Sequence, residues 1–217
     1  MMGRMVSLAA CAGVALIALG MVLTPGPNMI YLVSRTISQG RGAGLVSLGG
    51  VAAGFGCYLA ATVAGLSALF LHVPLAYDVV KVAGACYLAY LAWTMLRPGG
   101  RSAFEVQAVE RHSRARLFAM GWFTNLLNPK IALMYAALLP QFVDRSAGPA
   151  WGQLLQLGLV QIAIALTVNG LIVLGAARLS GWLKRRPRAM QVQRWVSGTV
   201  LGGFAVHLAL SQSPAKA

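Results

Sequence analysis

Four long stretches of this chain carry no formal charge, and they limit what it can fold into more than any other feature. Residues 5–34 and 42–71 (30 each), 146–177 (32) and 195–215 (21) contain no Asp, Glu, Lys or Arg. Two further apolar segments, about Val73–Leu96 and Leu117–Val143, are interrupted only by Asp78, Lys81 and Lys130. A helix needs about 20 mostly apolar residues to cross the hydrocarbon core of a bilayer, so six spans are expected. Composition agrees: 58% of residues are hydrophobic and 10% charged, whereas a soluble domain carries about 25% charged residues. Disorder is excluded, because it needs low hydrophobicity. The expected fold is all-α, a polytopic membrane protein forming a single transmembrane domain over residues 1–217.

The net charge of +14 would suggest nucleic acid on a soluble protein. Here the cations fall in loops that lipid separates, so no basic face survives and nucleic acid is not an expected partner. Thirteen Lys and Arg residues, from Arg35 to Arg194, fall at the loops between spans 1–2, 3–4 and 5–6. The other side has Arg4, Arg145 and Lys216. Because cations are retained on the cytoplasmic side, those three loops are expected in the cytoplasm and both termini in the periplasm. Arg4 followed by an apolar run, with Leu8-Ala9-Ala10-Cys11, resembles a lipoprotein cleavage box. Only six residues separate Arg4 from Cys11, too few for the apolar core of a signal peptide, and the run reads as a retained first span. Cys11, Cys57 and Cys86 stand alone in separate spans, without a C-x-x-C pair. They read as packing residues rather than a disulfide, zinc or thiol-exchange site, and no metal or cofactor is expected.

A shift of 104 residues superposes Pro25 on Pro129, Arg41–Gly44 on Arg145–Gly148, and Gly54 on Gly158. Two units of three spans insert with opposite orientation, because three is odd. The expected architecture is therefore two inverted three-helix repeats, about residues 5–96 and 115–211, joined by a cytoplasmic loop at about 97–114. Secondary transporters with such repeats bind substrate where broken helices meet near the midplane. Both breaks are legible. Thr24-Pro25-Gly26-Pro27-Asn28 interrupts span 1 and Asn128-Pro129-Lys130 interrupts span 4. Pro removes a backbone donor and Gly weakens the helix. Backbone broken at membrane depth is tolerated only where it packs in protein or faces a wet cavity. Each restart frees N–H groups and a positive dipole end that suit a carboxylate. A plain packing kink is the alternative reading.

Lys130 is the most informative charge. In a span of about Ala115–Leu139 it lies about 4.5 Å from the centre, against a hydrocarbon half-thickness of about 15 Å. A central cation costs about 2.5–3.5 kcal/mol even on insertion scales, so it needs a partner or water. It reads either as a ligand group or as a structural bond to a carbonyl or to Asp78. Asp78, the sole acid in any span, is three residues from Lys81, and the two read as an ion pair or as a proton or amine site. Asn125, Asn128, Gln161 and Asn169 are expected to face the bundle interior, and His207 an interface. Gly50-x-x-x-Gly54 and Gly198-x-x-x-Gly202 allow close helix approach, within the bundle or between copies in a homo-oligomer.

The order Thr24-Pro25-Gly26-Pro27-Asn28, then Gly40-Arg41 with Gly44 and Gly49, resembles the LysE/RhtB family of amino-acid exporters. So do Lys81-x-x-Gly84-Ala85-x-Tyr87-Leu88, Asn128-Pro129-Lys130 with Leu139-Pro140-Gln141-Phe142, and Ser197-Gly198. Ala92, Thr94 and Met134-Tyr135 depart from the usual pattern. The resemblance implies export of amino acids or close derivatives across the bacterial inner membrane, driven by the proton gradient. Joined to the residues read above, the expected gate or substrate site comprises Pro25, Gly26, Pro27, Asn28, Asn125, Asn128, Pro129 and Lys130. In this reading Lys130 and the freed N–H groups take the carboxylate, and Asp78 serves the amine or the coupled proton, unless it is only an ion pair with Lys81. An enzyme is not expected, since no H-E-x-x-H or other catalytic pair occurs. A small-solute channel or a membrane scaffold is the alternative.

Overall fold

Proline and glycine cut the first apolar stretch in two, and the rest of the bundle is arranged around that cut. The computed structural model describes residues 6–66, 74–98, 110–144, 146–184 and 186–210. Helix α1 (Leu8–Leu23) starts at Ser7, whose hydroxyl accepts from the Ala10 N–H at 3.1 Å. Helix α2 (Pro27–Gln39) restarts with Pro27 at its first position, where a missing N–H costs nothing. The two halves are bent by 53°. Gly40, at φ +87°, turns the chain directly into α3 (Arg41–Ala61), a conformation glycine adopts without strain. One π turn, Thr62–Leu66, extends α3. Helix α4 spans Pro74–Leu96.

The fourth stretch is cut as well. Helix α5 (Arg114–Leu126) begins at Ser113 and stops at Leu127. A short α6 (Pro129–Leu133) follows, then a π turn Met134–Leu138 and a 3-10 turn Leu139–Phe142. Helices α7 (Ala150–Lys184) and α8 (Pro187–Leu210) complete the chain. All regular elements among the described residues are helical. Arg41–Ala64 and Ala150–Ala176 are each long and apolar enough to cross a membrane, and α1 with α2 qualifies as one bent span. The apolar part of α4, Val82–Leu96, is shorter, and span 4 is divided. Large apolar side chains point outward along the bundle, among them Leu16, Trp93 and Leu171, each more than 60% exposed. That surface suits lipid.

Packing runs α3 along α5, α4 along α8 and α1 along α7. The small residues serve these contacts inside one subunit. A methyl group on Gly50 would strike the backbone of Phe118, one on Gly121 the carbonyl of Ser47, and one on Gly198 the side chain of Leu96.

One sequence expectation is corrected. Arg35 is not a loop cation. It lies inside α2, buried, with its Nη1 donating to the Glu110 carbonyl at 2.8 Å and its guanidinium 5.8 Å from the Tyr31 ring centre. Span 4 is divided at Asn128-Pro129-Lys130, where α5 ends and α6 restarts. Both helix restarts place Pro at the first position.

The α3–α5 contact yields a test. Gly50→Leu is expected to cost about 1–3 kcal/mol or more through overpacking, read as a lower unfolding temperature in detergent. Gly56→Leu, where an added Cβ meets nothing within 4 Å, is expected to leave it unchanged.

Candidate functional site

A proline at position 25 cannot donate to the carbonyl four residues back, so Met21 O is left without its helical partner. Thr24 O loses its partner too, because the chain leaves α1 there in an extended conformation. In a hydrocarbon setting each such orphan costs several kcal/mol. Lys130, from the other break, supplies the missing donors. Its Nζ lies 2.8 Å from Met21 O and 2.8 Å from Thr24 O, and the residue is only 5% exposed. A cation at the negative end of α1 is also favoured by the helix dipole. Gly26 makes room: a Cβ there would stand 2.9 Å from the Lys130 ammonium.

The second break is completed in the same way by a different side chain. Pro129 leaves Asn125 O to a tighter bond from the Asn128 N–H, at 3.1 Å. The Lys130 N–H turns to the Asn128 Oδ1 cap at 3.1 Å, which frees Leu126 O. The Tyr58 hydroxyl, from α3, donates to that carbonyl at 2.7 Å. Tyr58 stacks on Tyr135, with ring centres 5.5 Å apart, and the Tyr135 hydroxyl donates to Gln161 Oε1 at 2.6 Å.

Between the breaks is a small, partly open cavity. Ala18, Met21 and Val22 of α1, Asn28 and Met29 of α2, and Phe55 of α3 form one side. Asn128, Lys130, Ile131 and Met134 from the second break, and Gln161, Ala165 and Asn169 of α7, complete the lining. The α7 residues are four apart, so they share one helix face. Asn28 Oδ1 and Asn128 Nδ2 are buried with no hydrogen-bond partner among the described residues. Helix α2 begins without a side-chain cap, which leaves the N–H groups of its first turn, including Asn28 and Met29, without intrahelical partners.

The structure thus brings Asn28, Asn128 and Lys130 to one cavity, with Gly26 against the ammonium. Pro25, Pro27 and Pro129 shape the breaks but do not line the cavity. Asn125 is fully buried on α5 beside Gly54 rather than in the lining. Asp78 and Lys81 lie on α4, and their side chains fall outside the described residues. Sequence reasoning missed Tyr58, Tyr135 and the Met21 carbonyl. The i, i+4, i+8 spacing of Gln161, Ala165 and Asn169 in an uncharged span was a usable signal for this part of the lining.

A family profile described as LysE type translocator matches residues 19–212. The chain is 32% identical over 178 residues to the homoserine/homoserine lactone efflux protein of Salmonella typhimurium, a match covering 82% of this chain and 85% of that one. The protein of the same name in Salmonella typhi matches with the same identity and coverage. An uncharacterized membrane protein of Pseudomonas aeruginosa is 29% identical over 196 residues, covering 87% of this chain and 89% of that one. No solved structure matches the chain.

Two substitutions separate the breaks. Gly26→Ala is expected to push the ammonium off the α1 carbonyls, and Tyr58→Phe to leave Leu126 O unpaired. Each should cost about 1–3 kcal/mol, measured by thermal unfolding in detergent. Gly203→Ala, where an added Cβ meets nothing within 4 Å, serves as the neutral comparison.

Proposed function

The chain belongs to the LysE type translocator family, and from that premise we propose that it exports amino acids or close derivatives across the bacterial inner membrane by proton antiport. The cavity between the two helix breaks carries the reading. Two of its polar groups, Asn28 Oδ1 and Asn128 Nδ2, are unpaired, and most of its lining is apolar, as in a site for a small molecule with a polar head. The substrate carboxylate meets the free N–H groups of Asn28 and Met29 at the positive end of α2, with the Asn128 amide beside them. The side chain of the substrate extends toward Phe55, Met134 and Ala165. Relatives named for homoserine and homoserine lactone efflux support a small substrate without a charged side chain. The absence of Asp and Glu from the described lining supports it further.

Alternating access is the rocking of one three-span repeat against the other about this cavity. Helix pairing supports the repeat. Exchanging spans 1 with 4 and 2 with 5 turns the α3–α5 contact into the α1–α7 contact, and the α4–α8 and α3–α7 contacts map onto themselves. In this reading the loops joining spans 1–2, 3–4 and 5–6 face the cytoplasm, and both termini face the periplasm.

Overexpressing cells are expected to resist one or a few toxic amino acids or analogues. Everted vesicles should accumulate the same compound, and an uncoupler should abolish that accumulation. Asn28→Ala and Asn128→Ala are each expected to lower uptake about tenfold at unchanged protein abundance, equivalent to about 1.4 kcal/mol of lost binding. Transport that ignores the uncoupler would indicate a channel instead, and no transport of any amino acid would remove the proposal.

A further inference from the structure

The acceptors that hold Lys130 are the kind of acceptors an amino acid needs for its own ammonium group. Met21 O and Thr24 O lie at the negative end of α1, while the positive end of α2 begins three residues later. A zwitterion laid across this break would put its carboxylate on α2 and its ammonium on α1. The second of these places is filled by the Lys130 ammonium, at 2.8 Å from both carbonyls. Resting on the export reading above, we infer that Lys130 is a built-in stand-in for the substrate's α-ammonium and is the group that carries the coupled proton.

The exchange balances. On the cytoplasmic side the α-ammonium of the substrate takes Met21 O and Thr24 O, and Lys130 gives up one proton to the cytoplasm as a neutral amine. After release outside, Lys130 takes one proton from the periplasm and returns to the carbonyls, so one proton enters for each amino acid that leaves. Substrate and proton exclude each other because both binding events need the same two oxygens. Binding of one must therefore weaken the other reciprocally.

The surroundings leave this task to Lys130. From α1, α2, α3, the π turn and α7, no Asp, Glu, His or Arg is among the described residues lining the cavity. The nearby phenols are engaged: Tyr135 with Gln161, Tyr58 with Leu126 O, and Tyr31 with Leu117 O. Arg35 lies two turns further along α2, on the Glu110 carbonyl. Helix α4 packs on α6 through Gly84, which abuts Leu133. Asp78 and Lys81 precede that contact by six and three residues, and no described residue of α4 lines the cavity.

The test uses the full-length protein with L-homoserine as probe. In lipid nanodiscs at pH 7 in weak buffer with an indicator dye, homoserine is expected to release about one proton per molecule bound. Its affinity should rise as pH rises. The analogue with hydroxyl in place of the amine should release none. In proteoliposomes, Lys130→Gln is expected to retain homoserine exchange while losing at least tenfold of the accumulation driven by an imposed pH gradient. Gly203→Ala, where an added Cβ meets nothing within 4 Å, should retain both. Binding without proton release by the wild type overturns the inference, as does gradient-driven accumulation by Lys130→Gln, and the wild-type measurement stands even if that variant fails to fold. A wild type that neither binds nor moves homoserine or any other amino acid fails the export reading instead.

Discussion

One ammonium group satisfies a defect that two prolines create. The first break leaves two carbonyls of α1 unbonded in an apolar setting, and the second break delivers a lysine to them from more than 100 residues away in sequence. Neither feature is tolerable alone. The uncapped carbonyls would each cost several kcal/mol in hydrocarbon, and the lysine without them would be an unpaired buried charge. Together they join span 1 to span 4 at the point where both are weakest. The lack of a side chain at Gly26 is part of the same interaction.

The pairing also leaves something over. A continuous helix would cancel its internal carbonyls against its internal N–H groups. Here Lys130 takes the carbonyl end, and among the described residues no side-chain hydrogen bond caps the amide end of α2. The second break is closed more fully, by the Asn128 side chain on one face and the Tyr58 hydroxyl on the other. The unspent donors therefore gather on one side of the cavity, with the unpaired Asn28 and Asn128 amides next to them. Unpaired buried amides lower stability, and both of these line the cavity between the breaks.

Much of this was legible in the sequence, because lipid is a severe reader of charge. The uncharged stretches, the two Pro-containing breaks and the isolated Lys130 needed only the cost of polar groups in hydrocarbon. What escaped depends on tertiary partners. Counting cations treats every arginine as a loop residue, and so it misplaced Arg35. Its guanidinium is buried because a distant carbonyl and a tyrosine ring one turn away receive it. The hydroxyl of Tyr58 caps a carbonyl 68 residues on, and no local pattern announces such a bond.

The same geometry explains how a small chemical event could move large elements. Span 1 and span 4 are each two helical pieces joined by a few residues, so relative motion needs few dihedral changes. One of the ties across the cavity is a pair of hydrogen bonds from one ammonium, and those bonds depend on its being there and charged. A tie made of apolar contacts would respond to nothing in solution. A tie made of one titratable group between two helix ends responds both to protons and to any ligand that carries its own ammonium and carboxylate. In the proposed exchange the substrate reproduces the interaction that joins span 1 to span 4, which makes binding and release of the tie a single equilibrium.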